Sequence, residues 1–547
     1  MFDVIIIGAG LAGSLSALKI PSHFRVLLIE SGNEILPITS SSYNECYKLH
    51  TGVHYVGDAY TAKNCLIKSI EFARELPDYI SGGNELQSPW RRGRHYFMSN
   101  SLVPVEKARE IAIHLQTVYS QLVMEDVQNK LFGEPEDFIQ FLIPEDYSHI
   151  KQEIPFYDSL GNASTTSIAL GIETAESQID IHRLKSHLQQ RITLSPNITF
   201  LPSTTVTNLS HNPSQFGYVV TVKDEQENTH HFMSTSIVNC SWQSIETLDR
   251  SLGLYVPDEH RVIRIKASIL IELPESLRRM NTCIFSSGPY CSMTVLPNGT
   301  AILTSERTTN VGYFKAGECE LPNNVRELVN HQLKLDHPHG QAISEQIRNE
   351  CASYLTDELN EKLCHSTILE LHIGYVKIIE NEAQYTQESI YKADSVIHAR
   401  QQDGIEVRDL GYISNSGMKM TYTVGNAAVV TNILDEHIKT IYKITNLISM
   451  IKETMLPFPN AIKSYEKNID SILFTNYRER LKEMVLSTQF LDNPMDCVKK
   501  ISDEIIMLFQ KKHAFTNEHL QSFGLFTEDS KKIDQDNLLG RVEKKGP

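Results

Sequence analysis

The chain opens on a run of apolar positions of strand length. Asp3-Val-Ile-Ile-Ile7 has the pattern of a strand buried on both faces of a parallel sheet. Gly8-Ala-Gly-Leu-Ala-Gly13 follows at once, a short helix runs through Ile20 and is stopped by Pro21, and Phe24-Arg-Val-Leu-Leu-Ile29 is a second buried strand ending at Glu30. The spacing predicts one uninterrupted βαβ unit.

From about residue 88 the pattern changes to Trp90-Arg-Arg-Gly-Arg94, a short His95-Tyr-Phe-Met98 strand and a helix from Glu106 to about Asn129. Ile179 to Arg191 is again helical, Ile198–Phe200 and Val206–Leu209 are short strands, and Tyr218–Val222 begins a hairpin returning near His230. Ser236-Ile-Val-Asn-Cys-Ser241 is an apolar strand running into a small-residue turn. Strands rich in β-branched residues recur from Val262 to Leu273 and from Met293 to Ser305, the latter folded at Pro297-Asn-Gly299. Leu369 to Lys377 adds another strand pattern. Beyond about Ile438 strand signals vanish and Lys/Glu pairs at helical spacing predict a separate helical domain, with Ile469, Ile472, Leu473, Leu481, Met484 and Val485 spaced as its apolar face. The Lys-rich tail after about Asp529 reads as disordered.

A length of 547 residues predicts two or three domains, and 41% hydrophobic with 22% charged residues is the composition of a folded chain. A net charge of −16 argues against general affinity for nucleic acid. No positive leader precedes the first strand and no apolar run approaches the roughly 18 residues of a spanning helix, so a cytoplasmic protein without a transmembrane segment is expected. Nine scattered cysteines without a Cys-x-x-Cys pair predict reduced thiols and no metal site.

Gly-x-Gly-x-x-Gly is a weak signal alone. Here it joins a buried strand to a helix and is followed about 20 positions on by an acidic residue. Gly8 permits the tight turn, Gly10 lets backbone approach a pyrophosphate, and Gly13 lets the helix pack on the strand. The helix N-terminus, including Leu11 and Ala12, then offers free N–H groups to phosphates, and Glu30 accepts from ribose hydroxyls. The alternative is a glycine-rich turn that binds nothing.

The stretch Ser40-Ser-Ser-Tyr-Asn-Glu-Cys-Tyr-Lys-Leu-His-Thr-Gly-Val-His-Tyr55 resembles the second signature of the D-amino-acid-oxidase-like flavoproteins. It is most similar to Ser-Ser … Lys-Leu-x-His-Gly-Gly-x-Arg-Tyr of FAD-linked glycerol-3-phosphate dehydrogenases. Gly171-Ile-Glu, Ile179 to Leu184 and the strand before Val206 resemble a second FAD-contact region. Ile237-Val-Asn-Cys-Ser-Trp242 resembles the Val-Val-Asn-Ala-x-Gly strand end, and Gly411 to Tyr422 the loop and helix that cover the flavin pyrimidine.

The resemblance implies an α/β fold: a Rossmann-like FAD-binding domain, an interleaved antiparallel-sheet substrate domain and the C-terminal helical domain. Their pieces would be 1–87, 171–250 and 376–437 for FAD, 88–170 and 251–375 for substrate, and 438–547 for the helices. It also implies further cofactor contacts at Ser31, Lys48, Leu49, Thr51, Gly52, Val206, Cys240, Ser241, Gly417, Met418, Met420 and Thr421. Three departures stand out: His54 replaces the usual Arg, Trp242 the usual Gly, and Lys377 an Arg that holds a substrate carboxylate in many amine-oxidising members. Loss of that bidentate fork puts amino-acid specificity in doubt.

Chemistry of this kind moves a hydride from a small amine, hydroxy acid or polyol phosphate to flavin N5 while a neutral base takes the proton. His50, His54 and His398 are candidate bases, and Lys419 a candidate counter-charge near flavin N1. His50 also falls where some relatives attach flavin covalently, a pocket-lining role being the plainer alternative. The cluster Arg91, Arg92 and Arg94 could steer an anionic substrate, Arg94 being the candidate contact, or form a solvated basic edge. His365, His372 and His230-His231 have no constellation around them. Two other readings stay open: a flavin monooxygenase, and a flavin-free binding protein of the GDP-dissociation-inhibitor kind. The C-terminal helices could dock a protein partner or simply pack on the catalytic domain.

Overall fold

The computed structural model describes residues 1–44, 47–80, 92–212, 215–256, 261–315, 327–328, 334–379, 390–392, 404–417, 419–455 and 481–483. Trp90, Arg91, His398, Met418, the tail after Asp529, and Ile469, Ile472, Leu473, Met484 and Val485 of the proposed apolar face lie outside them. The chain divides into two units. One is Met1–Ser210 with Tyr218–Asp435, and the other His211–Gly217 with Glu436–Pro547. The described part of the second is mainly the distal end of the helix Thr423–Met455.

In the first unit, the opening strand Phe2–Ile7 lies between Val26–Ile29 and Thr229–Asn239, parallel to both. Its register sets Ile6 beside Leu28 on one side and beside Val238 on the other. Ile198–Leu201 extends the parallel set past Val26–Ile29. These strands carry Val, Ile and Leu at successive positions because helices such as Leu11–Lys19 and Ile181–Leu194 leave no solvated face.

Thr229–Asn239 is one 11-residue strand, longer than its pattern predicts, and it forks. Its first half is the return arm of the hairpin with Tyr218–Lys223, and its second half pairs in parallel with Tyr412–Asn415. The His230 arm and the Ser236 strand, separate in the sequence pattern, are therefore one element that pairs with three neighbours, Phe2–Ile7 among them.

The second sheet has nine strands in the order Asn310–Lys315, Arg261–Glu272, Thr300–Ser305, Cys291–Val295, Cys283–Ser286, Gly93–Met98, Ile168–Thr174, Ile139–Leu142, with Ile368–Ile379 also on Arg261–Glu272. The expected boundaries at 170/171 and 375/376 fall inside Ile168–Thr174 and Ile368–Ile379, and both strands belong to this sheet.

Period-2 alternation assigns its faces. Ile263, Ile265, Ala267, Ile269 and Ile271 point into a core with Met293, Leu303 and the helix residues Ile343 and Ile347. Burying one such side chain contributes about 1.5–3 kcal/mol. The intervening residues Arg264, Lys266, Ser292 and Thr304 therefore face the other way, and they line a cavity. None of the helices among the described residues is long and apolar enough to cross a membrane.

Candidate cofactor and substrate site

The glycine turn is shaped by close approach. Gly8 has φ +94°, a left-handed conformation that favours glycine. A Cβ on Gly13 would lie 1.9 Å from the Gly8 carbonyl oxygen, so only glycine lets the helix sit on the strand end. At Gly10 the nearest atom to such a Cβ is Ser40 Cβ at 3.9 Å, because that position faces open space.

The space is a cleft of about 430 Å³ lined by Gly8, Gly10, Leu11, Ala12, Glu30 and Ser31 among others. The first-turn N–H groups of the helix Leu11–Lys19 have no intrahelical partners and no side-chain cap, and Gly10, Leu11 and Ala12 line the cleft at that end. Glu30 holds the turn in place. One of its oxygens accepts from the Ala9 N–H at 2.6 Å and the other from Gly32 N–H at 2.8 Å and Ser31 Oγ at 3.0 Å. A carboxylate has further lone pairs for ribose hydroxyls.

Val206, Cys240, Ser241, Gly417, Lys419 and Met420 line the same cleft. Burial pushes the Cys240 thiol up to about 12, so it is a neutral wall. Trp242 has φ +55°, a left-handed conformation that favours glycine. Its indole N–H donates to the Tyr375 carbonyl at 2.8 Å and fixes the turn. Thr204, Thr205 and Ser40 to Ser42 also line the cleft. Their small-residue composition is the signal that would have found them.

A second cavity of about 200 Å³ shares Lys419 and Met420 with the first and adds Lys48, His50, His54, Arg264, Lys266, Glu306 and Thr421. Lys419 donates to the Tyr55 hydroxyl, and its ammonium stands 3.6 Å from the Tyr55 ring centroid. The His54 Nδ1 and Thr421 Oγ1 atoms are buried without a hydrogen-bond partner among the described residues. Together with the glycine turn, the open face at Gly10 and the uncapped helix end, these two atoms fit a dinucleotide cofactor such as FAD.

Behind the second cavity lies a chain of polar groups that sequence reasoning missed. His50 Nδ1 is 3.1 Å from Glu176 Oε1, Glu176 Oε2 is 3.3 Å from His95 Nε2, and His95 Nδ1 is 3.2 Å from Ser286 Oγ. Glu176 and His95 are buried, whereas the His50 side chain keeps 22% of its surface open. Burial pushes the Glu176 carboxyl up, but His50 and His95 outweigh it and hold it well below the usual carboxylate range. Burial pushes His50 down against the pull of Glu176, and pushes His54 well down, where neighbouring His50 and Lys419 add to the effect. The His54 ring stacks on His50 with centroids 4.9 Å apart.

Several expected site residues lie elsewhere. Leu49 is buried, Thr51 Oγ1 is 3.2 Å from Thr174 Oγ1, and Gly52 turns at φ +109° against Ala62; none lines either cavity. Lys48 lines the second cavity, not the cofactor cleft. Arg94 alternates with His95, points with Tyr96 toward the opposite face, and is paired with Glu173 at 2.7 Å. Lys377 donates to both Glu246 oxygens at 2.8 and 3.1 Å in a buried pair, while its neighbour Val376 reaches the cavity. Its charge is neutralised inside the protein, so Lys377 is not the substrate anchor.

No family model matches the chain, and no curated protein does. Solved structures do match its fold. The glycine oxidase of Geobacillus kaustophilus superposes with a TM-score of 0.50 at 12% identity, over 80% of this chain and 95% of that one. The FAD-bound L-alpha-glycerophosphate oxidase of Mycoplasma pneumoniae gives 0.47 at 14% identity, over 79% and 94%. The L-proline dehydrogenase of P. horikoshii gives 0.48 at 11%, over 80% and 93%. The first of these gives the chain the α/β fold of a glycine oxidase.

Proposed function

We propose that this chain is an FAD-dependent oxidoreductase that takes a hydride from a small polar donor, an amine, a hydroxy acid or a polyol phosphate. The observation that carries the reading is the pair of neighbouring cavities that share Lys419 and Met420. One is built on the Gly8–Gly13 turn and Glu30, the other on His50 and its buried Glu176. The shared fold with a glycine oxidase supports it.

The N–H groups at Gly10, Leu11 and Ala12 would hold the pyrophosphate, Glu30 the adenosine ribose, and Val206, Cys240, Ser241 and Gly417 the walls of the cleft. The first sheet is then the cofactor platform and the second the substrate platform. When bound, FAD supplies the hydride acceptor. The protein supplies the base and the charge. Against an ionised Glu176, His50 Nδ1 must donate its proton, which leaves Nε2 as the lone pair that takes a proton from the donor's hydroxyl or amine. Burial keeps His50 neutral and ready for that role. Lys419 places positive charge on the wall of both cavities. Cys65, Cys240, Cys283, Cys291, Cys351 and Cys364 are all free thiols, which fits a reducing cytoplasm.

The visible absorption spectrum of the purified protein is the test. Flavin bands that bleach anaerobically with a donor support the reading. A colourless protein that takes up no added FAD sinks it, and leaves the binding-protein alternative.

A further inference from the structure

Side-chain hydrogen bonds run mostly to backbone or water. Those of Glu176 do not. Its side chain is 1% exposed, and among the described residues its carboxylate meets two imidazoles, His50 Nδ1 at 3.1 Å from Oε1 and His95 Nε2 at 3.3 Å from Oε2. Gly93 makes the room, since a Cβ there would lie 2.9 Å from Glu176 Cβ. Burial alone would neutralise this carboxylate, and His50 and His95 are the groups that oppose it.

The order of hydrogens along the chain follows. An ionised carboxylate only accepts, so both ring nitrogens that face it carry hydrogens. A neutral His95 that donates from Nε2 has its lone pair at Nδ1, and the Ser286 O–H, with Oγ 3.2 Å away, donates to it. Ser286 and His50 both line the second cavity, whereas His95 is buried between them on the strand Gly93–Met98, beside Cys283–Ser286. The chain thus leaves the cavity wall at one point and returns to it at another, with its hydrogens directed from both ends toward one buried charge. Other groups face it too. Burial opposes a proton on His50, Glu176 favours one, and Lys419 and Lys48 oppose it. His54 stacks on His50, and its ring centroid is 6.3 Å from that of His95. The two lysines have no lone pair to offer the His50 Nδ1–H, so that hydrogen depends on Glu176.

We infer that His95 is a positioning residue for His50: by donating Nε2–H to Glu176 Oε2 it keeps Oε1 an acceptor for His50 Nδ1–H, which leaves the free lone pair on His50 Nε2. That this lone pair takes a donor's proton rests on the proposed function. The order of hydrogens does not. A proton added to the His50–Glu176 pair enters at His50 Nε2 while the Nδ1 hydrogen passes to Oε1, and the cavity then meets an N–H in place of a lone pair. Without the His95 donor, the buried carboxylate accepts that hydrogen more readily, so the lone pair is lost at a higher pH.

The experiment is nitrogen NMR of the full-length protein carrying isotope-labelled histidine, followed over pH, because ring-nitrogen shifts distinguish the two neutral tautomers and the imidazolium. His50→Asn and His95→Asn identify the two resonances, and flavin content is measured on every sample. Wild type is expected to show His50 as the Nδ1–H tautomer and His95 as the Nε2–H tautomer. His95→Asn can keep the Ser286 contact but falls short of Glu176. In it, the pH at which His50 Nε2 gains a proton should rise by about one to two units, the equivalent of one hydrogen bond to a charged group. His95→Gln, whose amide reaches as far as Nε2, should restore the wild-type midpoint. A histidine that only fills space predicts one midpoint for all three proteins, however much their melting temperatures differ. An unshifted midpoint in His95→Asn, or a shift as large in His95→Gln, overturns the inference. So does a wild-type His50 protonated at Nε2, or a His95 without a hydrogen on Nε2, and these two readings decide the matter even if the asparagine variant does not fold. A colourless protein with the expected tautomers overturns only the flavin reading, and a yellow one without them only the role of His95.

Discussion

Gly10→Val separates cofactor binding from folding. Gly10 has φ −62°, an ordinary value for any residue, and a Cβ there meets only Ser40 Cβ at 3.9 Å. The apoprotein should therefore accept valine at little cost. The added methyl groups instead fill the cleft where the helix N-terminus meets a phosphate. Displacing the pyrophosphate removes about two hydrogen bonds to a charged group at about 1.5–3 kcal/mol each, a total of about 3–6 kcal/mol. At about 1.4 kcal/mol per decade, that is about 10²- to 10⁴-fold in Kd. Gly13→Ala is the contrast. Its Cβ would lie 1.9 Å from the Gly8 carbonyl oxygen, so strand and helix must part and the fold itself loses about 1–3 kcal/mol. The assay is the ratio of flavin to protein absorbance after desalting, with the melting temperature of flavin-stripped protein beside it. Normal flavin content in Gly10→Val, or an apoprotein melting point lowered as far as in Gly13→Ala, would refute the reasoning.

Glu30→Ala should weaken FAD binding and also lower the flavin-free melting temperature, since the buried Ala9 N–H loses its acceptor at a cost of about 1–3 kcal/mol; an unchanged apoprotein melt would be inconsistent with that role. His54, with His50, Lys419, Glu176 and His95 around it, has a folded pKa well below 6.5, so the unfolded chain takes the proton first. The stability that neutral His54 contributes is full above about pH 6.5 and is lost as the pH falls from there toward the folded pKa; His54→Phe should flatten the melting temperature between about pH 7.5 and about pH 5, and an identical slope in both proteins would argue against it. Lys377→Met should destabilise by about 3–5 kcal/mol in chemical denaturation because it leaves buried Glu246 without its cation, and Lys377→Met with Glu246→Leu should recover most of the loss. Wild-type stability in the single variant would mean that the pair is not formed in solution.

The parts of this fold that are legible in sequence are those written in consecutive residues. Val4 to Ile7, the glycine turn and Phe24 to Glu30 specify a strand, a turn and a strand without help from the rest of the chain. The site's polar interior is not written that way. Glu176 bridges His50 and His95 only because three segments distant in sequence converge, and nothing local in Ala175-Glu176-Ser177 marks a carboxylate destined for burial. Lys377 was assigned by likeness of position and Arg94 from a local cluster of positive charge, and in each case a partner distant in sequence, Glu246 or Glu173, takes the charge. One available signal was the alternation in Arg261–Glu272: Arg264 and Lys266 interrupt an isoleucine series on every second residue, which marks one face of that strand as a lined chamber.

The forked strand Thr229–Asn239 has a consequence for the order of events during synthesis. Its parallel neighbours begin at Phe2 and at Tyr412, so the sheet joins the first residues of the chain to ones made about 400 positions later. At about 5–20 residues per second the opening strand and its glycine turn leave the ribosome roughly 20–80 s before Gly417 and Met420 arrive to finish the cleft. During that interval the nascent chain holds a phosphate-binding turn with no closed pocket behind it. The cleft is therefore closed only late in synthesis, and the proposed cofactor can be held only once the first unit is nearly complete.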